Sequence, residues 1–149
     1  MPKGNARKGP VRIGYTLIEL AIVVAILGVV TLASIRRLQS YLDGIAVRNA
    51  VREVGALVAR ARDEAMARRA VVSLRIDTAA ASVSLRSRGE PAHIHLVGQS
   101  YGVALSTTRD SIAFDVRGLG YGAANLTLVA RRGSAADTLI VSRLGRVRE

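Results

Sequence analysis

The 149-residue sequence predicts an α+β fold: one long N-terminal helix whose second half packs on a C-terminal antiparallel β-sheet domain or sandwich. Three observations carry the prediction. An uninterrupted apolar run covers residues 15–35, helical spacing of apolar residues persists to about Arg69, and from Val71 the pattern changes to short alternating segments separated by turn residues. The expected organisation is a basic leader at 1–14, a membrane-spanning helix at 15–35, an amphipathic helix at 36–70 entering the globular domain, and an antiparallel β-domain at 71–149.

The leader carries Lys3, Arg7, Lys8 and Arg12 among Pro2, Gly4, Gly9 and Pro10, which make it a poor helix. The apolar run that follows would be roughly 31 Å long as a helix at about 1.5 Å per residue, enough to cross a hydrocarbon core of about 30 Å once. Arg36 and Arg37 close it. Four positive charges before the span against two after it favour a cytoplasmic N-terminus and an exported C-terminal domain. Within the span stands one carboxylate, Glu19. A charge in a bilayer costs at least about 2.5–3.5 kcal/mol on insertion scales, so Glu19 is a functional candidate; the plainer alternative is an interfacial residue reaching headgroups.

A secretory signal is cut after its apolar region at small residues. Here Gly14 lies before that region, and the run continues into helix-compatible sequence with no Ala-x-Ala-type site. There is no Cys, so an exported domain must rest on its core rather than on disulfides. Hydrophobic residues make up 50% of the chain and aromatics 3%, which predicts a core of Val, Leu, Ile and Ala. The formal charge is +11; without the four leader cations 18 basic residues face 11 acidic ones, leaving +7. Such a surface attracts nucleic acid, anionic headgroups or acidic partners without choosing among them.

After the span, Leu38, Leu42 and Ile45 recur at helical spacing, and Val47, Val51, Val54, Val58, Ala61 and Ala65 continue with a shifted phase. Different faces are therefore expected to be buried before and after Gly44. Arg48, Arg52, Arg60, Arg62, Asp63, Glu64, Arg68 and Arg69 read as the solvated face. Strands are expected at 71–77, 81–87, 92–97, 111–117, 125–131 and 137–143, with turns at 77–78, 88–91, 118–122 and 132–134.

Gly14-Tyr15-Thr16-Leu17-Ile18-Glu19-Leu20 closely resembles the processing motif of type IV pilins and type II secretion pseudopilins, with Tyr15 in place of the usual phenylalanine. The resemblance implies a pilin-like fold and cleavage between Gly14 and Tyr15 by a prepilin peptidase, which also methylates the new N-terminus at Tyr15. It further implies that Glu19 pairs with the N-terminus of a neighbouring subunit during filament assembly. Two later segments are similar to minor pseudopilins of the GspH/FimT family: Ala61-Arg62-Asp63-Glu64-Ala65 with Arg68 to Leu74, and the closing pattern from Phe114 to Gly118, Leu126 to Leu128 and Ile140 to Arg148. Arg36 stands where that family commonly carries a proline.

This resemblance implies a non-enzymatic subunit of a type II secretion pseudopilus, anchored in the bacterial inner membrane with its C-terminal domain in the periplasm. Its partners would be prepilin peptidase, the membrane and other pseudopilins or pilins; no cofactor is implied. The alternative is a FimT-like minor type IV pilin, in some lineages involved in DNA uptake. Gly145-Arg146-Val147-Arg148 resembles the DNA-contacting tail of such members, with Arg143 close by. On an extended strand Arg146 and Arg148 would share one side about 6.6 Å apart, near the spacing of successive phosphates, or would simply solubilise the last strand. His93 and His95 share a strand face but lack further metal ligands. Gly118-Leu119-Gly120-Tyr121-Gly122 lacks the helix start of a dinucleotide loop, and nothing groups a nucleophile with a base and an orienter, so no catalytic or metal residue is assigned.

Overall fold

Helix α1 (Leu17–Arg68) starts where the sequence supplies a cap. Thr16 accepts the Glu19 N–H both at its carbonyl, 3.1 Å, and at its Oγ1, 3.3 Å, and the Leu20 N–H at its carbonyl, 3.2 Å. Thr16-Leu17-Ile18-Glu19 therefore has the spacing of a capping box, with the acid in the first turn where the helix dipole favours negative charge. The computed structural model describes residues 15–87, 92–121 and 125–148. The leader with Gly14, the turn expected at 88–91, Gly122 and Glu149 lie outside them. The chain divides into two compact units, Met1–Arg37 and Leu38–Glu149.

In the first unit every described side chain is exposed. The most apolar 18-residue window of α1 has a mean hydropathy of 2.6, and none of it is buried. Its two central hydroxyls turn inward on the helix: Thr31 Oγ1 donates to the Leu27 carbonyl at 2.7 Å and Ser34 Oγ to that of Val30 at 2.9 Å. Both hydroxyls thereby find a backbone acceptor within the helix, as a hydrocarbon environment requires.

In the second unit α1 buries Val47, Ala50, Val51, Val54, Leu57, Val58, Ala61 and Ala65, one stripe at spacings of three and four. Leu38 and Leu42 remain exposed, at 58% and 50%, because burial of α1 begins only at residues 43–47. The helix ends on Arg69 at φ +49, with the Ala70 N–H reaching the Ala65 carbonyl at 3.2 Å. That is a left-handed cap made without glycine.

The strands are β1 (Val72–Asp77), β2 (Ser82–Ser87), β3 (His93–His95), β4 (Ala104–Thr107), β5 (Ser111–Phe114), β6 (Leu126–Arg132), β7 (Ala135–Val141) and β8 (Val147–Arg148); a short helix α2 (Val97–Tyr101) precedes β4. They form two antiparallel four-stranded sheets, ordered β3-β2-β1-β5 and β4-β6-β7-β8. Alternation places apolar residues in register across the inner faces. Leu74 is opposite Leu85 and Ile112, Val72 opposite Phe114, Leu128 opposite Leu139, and Leu126 opposite Val141. With the buried stripe of α1 these side chains form one core that is aliphatic except for Phe114.

Several expected boundaries shift for identifiable reasons. The strand expected at 111–117 stops at Phe114 because Asp115 Oδ1 accepts the backbone N–H groups of Arg117 and Leu119, both at 2.9 Å, closing a turn that diverts the ladder. The strand expected at 92–97 is cut to His93–His95 because Val97 opens α2. Gly98 permits that helix: a Cβ there would lie 2.3 Å from the Ala81 Cβ. Arg132 at the end of β6 ties α1 and α2 to that strand, with its Nε 2.9 Å from Asp43 Oδ1 on α1 and its Nη1 donating to the Tyr101 carbonyl at 2.6 Å.

Candidate functional site

Two regions carry the candidate residues. At the N-terminal end, Tyr15 is 86% exposed and precedes the Thr16 cap, and Glu19 is exposed one turn in. Gly14 lies outside the described residues. The Thr-x-x-Glu spacing of a capping box is the sequence signal that marks Thr16 as the cap.

At the other end, β7 and β8 are joined by a tight hairpin. The Gly145 N–H donates to the Ser142 carbonyl and the Ser142 N–H to the Arg146 carbonyl, both at 2.9 Å, and the Arg146 N–H reaches Ser142 Oγ at 3.2 Å. Gly145 has φ +71, so the glycine of the Gly-Arg-x-Arg tail answers first to turn geometry. Arg143, Arg146 and Arg148 are all exposed, while Val147 between the last two is half-buried against the core. Alternation about Val147 places Arg146 and Arg148 on the same outer side of the extended tail, with Arg148 paired in register to Ile140. The Arg143 N–H donates to Asn125 Oδ1 at 2.9 Å, and its side chain borders a depression of about 250 Å³ shared with Asp115 and Tyr121.

The other candidates disperse into structural roles. His93 and His95 do share a strand face, in register with Leu85 and Val83, and His95 Nδ1 lies 3.6 Å from Glu53 Oε1. Glu53 also accepts the Tyr101 hydroxyl's hydrogen bond; that bond first, then burial and the carboxylate's charge, raise the Tyr101 pKa above its ordinary 10.0. Among the described residues no group of three His, Cys, Asp or Glu is gathered to hold a metal ion. Gly118 to Tyr121 form the loop that follows Asp115, with Gly120 bridging to Phe114.

Residues 12–35 match the prokaryotic N-terminal methylation motif. The fold is similar to two crystal structures of the type IV minor pilin FimU from Pseudomonas aeruginosa PAO1, with TM-scores of 0.58 and 0.55. In both, 18% of residues are identical over 68% of this chain, covering 86% and 90% of the FimU chain respectively. The fold is type IV pilin-like. No curated protein sequence matches it. At 18% identity the likeness to FimU concerns the fold, while the methylation motif supplies the chemistry of the N-terminus. Together they describe a chain of pilin-like fold that carries a prepilin-type methylation motif at the start of an apolar, exposed helical segment.

Proposed function

We propose that this chain is a minor pseudopilin of a type II secretion system, a non-enzymatic subunit that helps initiate the periplasmic pseudopilus. The precursor spans the inner membrane once, with residues 1–14 cytoplasmic and the β-domain periplasmic. Prepilin peptidase cuts between Gly14 and Tyr15 and methylates Tyr15, and the retained helix moves from lipid into a filament of pseudopilins. The observation that carries this reading is the methylation motif at residues 12–35 joined to the apolar N-terminal segment of α1, which is of membrane length and has no buried residue. Such a surface needs lipid or other subunits. The secretion setting itself rests on the resemblance of the helix-to-β1 and closing segments to GspH/FimT-type pseudopilins.

Glu19 is the assembly determinant in this scheme. Near the membrane interface its charge is tolerated, and burial in a filament is offset when the positive N-terminus of a neighbouring subunit stands against it. Replacing Glu19 by Ala should leave the precursor in the membrane and abolish its recovery in sheared filaments. Filaments incorporating the variant normally would refute the role.

A second reading, a FimT-like minor pilin that contacts DNA, is favoured by one observation: Arg143, Arg146 and Arg148 are all exposed on a single hairpin and its strand. The segment 143–148 that carries them contains no aromatic residue, so its arginines would bind phosphates, independently of sequence and sensitively to salt. Deleting the gene separates the two settings: loss of protein secretion with pili intact supports the first, and loss of pilus function or DNA uptake with secretion intact supports the second.

A further inference from the structure

Arg62 on α1 occupies a slot built from two glycines on different connections. Gly118, in the turn after β5, and Gly145, in the β7–β8 hairpin, are both buried and both at positive φ, +73 and +71. A Cβ on Gly118 would stand 3.1 Å from Arg62 Cγ and Nε, and one on Gly145 would stand 3.1 Å from Arg62 Cδ and 3.4 Å from its Nε. The arginine stem therefore passes between the two backbones, against the residue that precedes Arg146. Among the described residues, Arg62 Nε is the buried side-chain donor left without a hydrogen-bond partner. Its Nη nitrogens are not among the buried groups left without a partner, and Arg62 as a whole is half-buried rather than enclosed. Glu64, the acid two residues on, is held by Arg68 at 3.0 Å.

Packing alone does not account for a guanidinium in this slot. A methionine would fill the same volume without orphaning a buried donor. What arginine adds is a permanent charge at the tip of a stem already immobilised, so that little rotamer freedom is lost when an anion arrives.

We infer that Arg62 is a further cation of the hairpin surface, contacting phosphate oxygens of a nucleic-acid backbone together with Arg143, Arg146 and Arg148, and that Gly145 is needed to let it through. This deepens the DNA-contacting reading above and rests on it. The geometry connects what the sequence separates by more than eighty positions: the helix residue and the tail motif share one contact.

The test is fluorescence anisotropy of a labelled single-stranded oligonucleotide with the full chain in detergent micelles, measured across a salt series. The comparison is among the unaltered protein, Arg62→Met, Arg62→Lys and the double variant Arg146→Ala with Arg148→Ala. Losing one phosphate contact should lower the slope of log affinity against log salt by about 0.7 in Arg62→Met, with a loss of about fivefold at 0.1 M salt, whereas Arg62→Lys keeps the slope. Should the methionine variant unfold, Arg62→Gln carries the same expectation. Weaker binding by Arg62→Met at an unchanged slope would make Arg62 a mere support for the hairpin and overturn the inference. If the double variant lowers the slope and Arg62→Met does not, the inference falls while the DNA reading stands. Absence of binding by the unaltered protein, or no change in any variant, removes both.

Discussion

The two halves of α1 have nearly opposite relations to the rest of the molecule. From Tyr15 to Arg37 every side chain is exposed, apolar ones included, with Leu17 at 89% and Val29 at 69%. From Val47 to Ala65 one stripe is buried to within a few per cent. A helix that is apolar on all sides is a helix for lipid or for other subunits, whereas a striped one is for its own domain. One element thus serves two environments, and the change occurs between residues 38 and 47, where Leu38 and Leu42 are still exposed and Val47 is not.

Mutations can break this contrast. Phe114 is fully buried, and Phe114→Ala should cost the β-domain about 3–5 kcal/mol by urea unfolding of the full chain in micelles. Leu27, 58% exposed, should tolerate Ala within about 0.5 kcal/mol by the same measurement while impairing recovery in filaments. Equal destabilisation by both would erase the distinction between the halves.

The glycines divide the same way. Gly145→Ala forces a Cβ at positive φ onto Arg62 and should lose about 1–3 kcal/mol in the same assay, whereas Gly28, with nothing within 4 Å, should accept Ala without loss of helix content by circular dichroism. A smaller effect, about 1 kcal/mol or less, is expected of Asp43→Ala, because the Arg132 side chain it releases is 42% exposed. The smallest concerns Tyr101. Its raised pKa means that the stabilisation from its protonated hydroxyl is fully present below pH 10.0 and is lost as pH rises through the folded value. Ultraviolet titration should show Tyr101 ionising late, and Glu53→Gln should bring it back toward the ordinary range.

Much of the fold was legible because its signals are periodic. All six residues expected on the second stripe, from Val47 to Ala65, are buried, and β1 and β2 each begin one residue later than expected. What escaped depends on contacts between distant residues. Helix α2 exists where Gly98 fits against Ala81, β5 ends where the Asp115 side chain captures backbone N–H groups, and β4 forms in a stretch whose pattern predicts no strand. The exposed arginines of the tail are readable from Gly145-Arg146-Val147-Arg148, but the sequence predicts Arg62 on the solvated face. Only the fold brings Gly118 and Gly145 around its stem.

Cleavage between Gly14 and Tyr15 is the step on which every later role of α1 depends. Tandem mass spectrometry of the protein purified from cells expressing prepilin peptidase should give a mature chain that begins at Tyr15, carries one added methyl group on its α-amine and retains the whole of α1. An N-terminus still bearing residues 1–14, or a cut after the apolar run, would contradict it.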